Sequence, residues 1–132
     1  MVEMELRSIK INDTGDRQYI ALGEKDGDRT LTIVIGYGEV QAIDRFVKGL
    51  TMQRPMTHDL MVALVRSTGA EIERVAVTEL KDGTFFASIR MTRADGGTAE
   101  VDARPSDAIA LAVAVSKPIF VDEAVLRDAA IL

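Results

Sequence analysis

Residues 102–107 read Asp-Ala-Arg-Pro-Ser-Asp, and four of the six carry groups able to do chemistry. Asp102, Arg104, Ser106 and Asp107 stand where a strand pattern runs into a helical one. A helix start presents free amides and the positive end of a dipole, which attract anions such as phosphate. Arg104 would add a bidentate phosphate contact. The same residues also suit capping, with Ser106 or Asp107 accepting from first-turn amides and Arg104 paired with Asp102. A second segment, Arg54-Pro55 ahead of Thr57-His58-Asp59, repeats the arginine–proline–cap order. His58 is the only histidine, and histidine titrates nearest neutrality. It fits a general acid–base or a metal ligand. It also fits a surface histidine in a helix's first turn, where positive charge is disfavoured. Glu39, opening another helical stretch, is either a third carboxylate or a dipole partner. Asp13-Thr14-Gly15 is the triplet of an aspartic protease, which needs a buried apolar loop. Set between Asn12 and Asp16, it reads as a hydrophilic turn.

These positions depend on the elements around them. Met4–Asn12 alternates with a slip near Ser8 that suits a bulge, and Gln18–Glu24 and Thr30–Ile35 read as further strands. From Glu39, the residues Val40, Ile43, Val47 and Leu50 recur at helical spacing. Thr57 looks like an N-cap, and Leu60, Met61, Leu64 and Val65 form the expected buried stripe of a second helix ending at Gly69. Ala70–Leu80 and Phe85–Thr92 pair across Lys81-Asp82-Gly83-Thr84, since Asp-Gly readily takes a positive φ. Thr98–Ala103 is a third strand of this group. Ala108–Val115 is apolar all round, a helix covered on most sides, either within the chain or by a second subunit. Pro118–Val121 reads as a short buried strand and Asp122–Ala130 as a last helix capped by Asp122. Each half runs three strands and a helix. An offset of 68 lays Glu39, Ala42 and Ile43 over Asp107, Ala110 and Leu111. The expectation is one α+β domain over residues 1–132, antiparallel or mixed meander sheets with packed helices, and a possible internal duplication.

Composition narrows the chemistry. The chain has 132 residues, 47% of them hydrophobic, which suits one domain with a sizeable core. It has no cysteine, so disulfide scaffolds, thiolate zinc sites, iron–sulfur clusters and cysteine nucleophiles are excluded. Sixteen basic against twenty-one acidic residues give a net charge of −5, unlike a nucleic-acid binder recognised by charge alone. No tryptophan and two tyrosines leave little for a base-stacking platform. The acidic N-terminal segment lacks the apolar stretch of a signal peptide. The longest apolar run, Ala108–Val115, falls well short of the roughly 18–20 residues that span a bilayer. A cytoplasmic protein without a membrane segment is expected.

The run Asp102-Ala103-Arg104-Pro105-Ser106-Asp107-Ala108-Ile109-Ala110-Leu111-Ala112, with Pro118–Val121 and Val125-Leu126 after it, closely resembles the signature of the bifunctional nuclease (BFN) domain family. Ile35-Gly36 with Glu39, Ala42 and Ile43 resembles another of its blocks. So do Arg54-Pro55-x-Thr57-His58-Asp59-Leu60 and Asp82-Gly83-Thr84-Phe85. The resemblance covers roughly residues 4–127. The family takes its name from plant members described as degrading both RNA and DNA. Carried over, the blocks imply a polar cluster of Glu39, Arg54, His58, Asp59, Asp102, Arg104, Ser106 and Asp107. One departure is Ala114, which stands where the family often carries a basic residue.

The resemblance thus implies a phosphodiester hydrolase acting on RNA or DNA, in a homo-oligomer. His58 is the expected general acid–base, and Arg104, with Arg54 and Ser106, the expected phosphate-binding group. Asp59, Asp102 and Asp107 would orient His58 or hold a divalent ion, with Glu39 and Asp107 the candidate ligands. With one histidine and no cysteine, such a metal is Mg²⁺ or Mn²⁺ rather than zinc. The competing expectations are a non-catalytic, oligomeric interaction module and a hydrolase of a small phosphorylated metabolite, which suits the acidic charge better.

Overall fold

Alternating residues separated by Asx-Gly turns build most of this molecule, and they do so twice. In the computed structural model, which describes every residue except Asp13, Gly15, Asp16 and Leu132, the first group is β1 (Val2–Lys10), β2 (Gln18–Glu24) and β3 (Thr30–Ile35). The expected turn at Asp13-Thr14-Gly15 therefore lies largely outside the described residues. Helices α1 (Tyr37–Val47) and α2 (Thr57–Ser67) follow, then β4 (Glu71–Lys81), β5 (Thr84–Thr92) and β6 (Thr98–Ala103). The chain continues through α3 (Pro105–Val115), β7 (Ile119–Val121) and α4 (Glu123–Ala129).

The strands form one mixed sheet ordered β3-β2-β1-β7-β4-β5-β6. Each meander is antiparallel, and β7 joins them, antiparallel to β1 and parallel to β4. The slip in β1 is real: its register against β2 shifts between Leu6 and Ser8. Asp82 and Gly83 turn the β4–β5 hairpin with φ of 52° and 76°, the paired positive angles of a type I′ turn. On one sheet face, Ile20, Leu22, Leu31, Ile33, Ile72, Val75, Val77 and Ile89 are buried, and the helices pack there.

Helix α3 lies across β4 and β5, with α1 and α2 packed against it. Ala108, Ile109, Ala110, Leu111 and Ala112 are all buried by this chain alone. The all-apolar composition of α3 is thus explained inside the monomer, and the expectation of a second subunit over it is corrected. Burying Ile109 and Leu111 stabilises the fold by about 1.5–3 kcal/mol each.

Helix α2 departs further from expectation. Leu60 and Leu64 are 50% and 59% exposed, so half of the predicted stripe points outward. The inward face runs His58, Met61, Val62 and Val65, because α2 packs mainly against α3 and β4 along one narrow side. Thr57 is not the cap either. Met56 holds that position, and Asp59 accepts its amide at 2.9 Å. Gly69 then ends α2 with φ +81°, an angle that favours glycine.

Candidate functional site

Three helices begin within reach of one another, and each places a polar side chain in its first turn. In α3, Arg104 is the N-cap and Pro105 fills the first position, where its fixed φ and missing N–H cost nothing. Asp107 consequently lands at the third helical position, facing out of the first turn. Its carboxylate serves neighbouring side chains. Oδ1 accepts from His58 Nε2 at 2.9 Å, and Oδ2 accepts from Arg104 Nε at 2.9 Å and lies 2.8 Å from its Nη2 in the same ion pair. Arg104 Nη2 also reaches Glu39 Oε1, 3.0 Å away on α1. Glu39 and Asp107, matched by the offset of 68, both occupy the third position of their helices and meet on one guanidinium.

An ionised carboxylate only accepts hydrogen bonds, so the proton between Asp107 and His58 belongs to Nε2. A neutral His58 ring then carries its free lone pair on Nδ1, which has no hydrogen-bond partner among the described residues. The His58 side chain is 8% exposed and that of Arg104 is 68% exposed. One carboxylate thus links a buried imidazole to a solvent-facing cation. The bond to Asp107, and secondarily the nearby Glu39, raises the Arg104 pKa above its ordinary value and secures its charge. A cavity of about 550 Å³ opens here, with His58, Glu39, Arg104 and Asp107 on its polar side and Met52 and Met56 on its apolar side. Three helix N-termini add a local positive field to a chain that is acidic overall.

A divalent ion does not fit the two carboxylates expected to hold it. Glu39 and Asp107 both point at Arg104 Nη2, so the guanidinium stands where the cation would. No group of three metal-ligating side chains occurs among the described residues.

The remaining sequence candidates lie apart from this contact network. Asp59 is turned toward Met56 N and toward Arg45 Nη2, 3.1 Å away, and so ties α1 to α2 rather than touching His58. Asp102 is exposed on β6, opposite Ser88. Strand alternation turns it to the sheet face away from the helices, because its neighbour Ala103 packs against the core. It therefore does not pair with Arg104. Arg54 is exposed in the α1–α2 connection and forms no ion pair among the described residues. Ser106 is buried beside Arg104, at the second position of α3, and neither it nor Asp107 caps the helix. Sequence reading missed Arg45, whose guanidinium stacks on Phe46 at 4.4 Å while pairing with Asp59. No pattern within α1 signals a partner on another helix.

Comparison with known proteins agrees with these blocks. No helix of the described residues is long and apolar enough to cross a membrane. Proteins from two strains of Mycobacterium tuberculosis, both named only as uncharacterized, are each 37% identical to the chain over all 132 of its residues, which span 78% of their length. Residues 20–132, which include every member of the His58–Asp107–Arg104–Glu39 cluster, match the bifunctional nuclease domain, and the chain belongs to that family.

Proposed function

We propose that the chain is a metal-independent phosphodiester hydrolase acting on RNA or DNA. The observation that carries this reading is the continuous link from His58 through Asp107 to Arg104 at the edge of one cavity. His58 Nδ1 takes a proton from the nucleophile, a ribose 2′-hydroxyl or a water. Asp107 stabilises the imidazolium that forms. Arg104 offers its uncommitted Nη1 edge to a non-bridging phosphate oxygen, while the scissile phosphate competes with Glu39 for Nη2. The imidazolium then returns its proton to the leaving oxygen. Asp59 acts through position, holding the start of α2 and hence His58. Arg54, exposed in the α1–α2 connection, is a further contact for the polymer backbone. We place the protein in the cytoplasm.

The test is cleavage of RNA and DNA oligonucleotides by a homogeneous preparation. His58→Ala and Arg104→Ala should each lower kcat/KM by a factor of about 10²–10⁴. Turnover unchanged by both substitutions would refute the assignment.

A second observation favours association between copies. Met56, Leu60 and Leu64 follow one another at four-residue spacing and are 50–59% exposed, with Val47, Leu50 and Met52 nearby in the chain. A ridge of this kind marks an interaction surface more often than an ordinary monomer face. We infer a homo-oligomer built on this ridge. Stable oligomers with no turnover of any phosphodiester would favour a non-catalytic interaction module instead.

A further inference from the structure

Arg104 stands between two cavities, and the second takes no part in the proton transfer above. It measures about 550 Å³ and lies between edge strand β3, the β4–β5 turn at Gly83 and Thr84, and the first residues of α3. Two independent features point to an anion there. The first is a helix start without a cap. Arg104 makes no side-chain capping bond, Pro105 has no N–H, and the Asp107 carboxylate is committed to His58 and Arg104. The first backbone bond of the helix is donated by Ala108 N to Arg104 O. The amides of Ser106 and Asp107 therefore have no acceptor within the helix.

The second feature is the Ser106 side chain. Ser106 is 7% exposed and lines this cavity, yet its hydroxyl makes no hydrogen bond with another described residue. This hydroxyl is not among the fully buried, unpartnered side-chain atoms of the described residues, so it keeps some accessible surface, which the cavity it lines supplies, and an anion there would accept from it. Thr84 lines the same space, and Arg104 lines both cavities, its Nη1 carrying two N–H groups, one for the phosphate at each. Among the described residues no carboxylate lines this cavity, and Glu39, beside Gly36 at its wall, is already paired with Arg104.

We propose that the start of α3, with the Ser106 hydroxyl and Arg104, is a second phosphate subsite. It holds the phosphate next to the one at His58, so the site takes a nucleic-acid chain in preference to an isolated diester. The choice of a polymer rests on the phosphodiesterase reading, whereas the anion subsite rests on α3 alone.

The first measurement is a titration of the ¹⁵N-labelled protein with inorganic phosphate and then pyrophosphate. Saturable shifts of the Ser106 and Asp107 amides are expected, with affinity about tenfold weaker in Ser106→Ala, the loss of roughly one hydrogen bond to a charged group. The second compares substrates. In Ser106→Ala, the KM of a trinucleotide should rise about tenfold more than that of a simple aryl phosphodiester. Unmoved amides at saturating phosphate, or identical affinities in the variant, overturn the subsite even where oligonucleotides are cleaved. Phosphate-dependent shifts with no cleavage of any diester leave the subsite standing and overturn the phosphodiesterase reading. The wild-type titration decides the matter even where the variant folds poorly.

Discussion

Asp107→Asn separates the two jobs of one carboxylate. The amide has the same shape, so no cavity opens, but the charge shared between His58 and Arg104 is lost. The two contacts are similar in length, 2.9 Å to His58 and 2.8 Å to Arg104 Nη2, and differ in exposure. The His58 side chain is nearly buried, and a hydrogen bond to a charged group in such a setting contributes about 1.5–3 kcal/mol. The Arg104 contact is solvent-facing, and Glu39 still holds the guanidinium after the change, so it contributes less than about 1 kcal/mol. The substituted amide retains one acceptor oxygen, which limits the net loss to about 1–3 kcal/mol. For a domain of this size that lowers Tm by roughly 3–10 °C. Double-mutant cycles with alanine, read by urea unfolding, should give a larger coupling for His58–Asp107 than for Arg104–Asp107. One molar NaCl should erase the second and leave the first largely intact. Cleavage by Asp107→Asn should fall at least about a hundredfold, mainly in kcat. Equal or reversed couplings, or full activity in the variant, would refute the idea of a buried imidazole held by Asp107.

Three other outcomes are expected. Exhaustive treatment with a chelator should leave oligonucleotide cleavage unchanged, because Arg104 already bridges the two carboxylates; activity lost to the chelator and restored by Mg²⁺ or Mn²⁺ would place a metal at the site. Leu60→Ser combined with Leu64→Ser should change thermal stability by less than about 1 kcal/mol yet convert oligomers to monomers by analytical ultracentrifugation, since both side chains lie largely outside the core. Arg29 donates to both carboxylate oxygens of Glu123 at 2.9 Å, and this lowers the Glu123 pKa below its usual range. Stability from that pair is present above the ordinary glutamate value of about 4.3 and is lost as pH falls through the lower folded value. Glu123→Gln should therefore flatten the acid limb of the stability–pH curve, and an unchanged limb would show that the pair contributes nothing.

Strands were the most legible part of this sequence, and the reasons are local. Gln18–Glu24, Thr30–Ile35 and Thr98–Ala103 each alternate between turn residues, and the structure keeps those bounds. Asp122 was legible as a cap by the same logic, and its side chain accepts from Ala124 N. Helix α2 was not, because Leu60 through Val65 is apolar all round and no period selects an inward face. His58 could have been placed by counting back from Val62 and Met61 to the same side. The starts of α1, α2 and α3 were legible to within two residues, though their caps were not, and neither was their meeting. His58 and Asp107 are 49 residues apart, and a contact of that kind depends on how helices pack across a sheet. The pairing of Arg104 with Glu39 rather than Asp102 has the same origin. Strand alternation sends Asp102 to the far face, while helix packing brings Glu39 close.

Three residues of β7 set the order in which this chain can mature. Val2, Glu3 and Met4 pair with Val121, Phe120 and Ile119, while Val75, Ala76 and Val77 flank the same three from the other side. During synthesis both half-sheets emerge before their seam does. For that interval β1 and β4 are open edges, templates for any other unpaired strand. Bringing Val2 to Val121 closes a loop almost as long as the chain, a slow and entropically costly event. A ribosome stalled before Ile119 therefore holds two sticky ribbons, and crowding of such chains favours exchange of strands between molecules over closure within one.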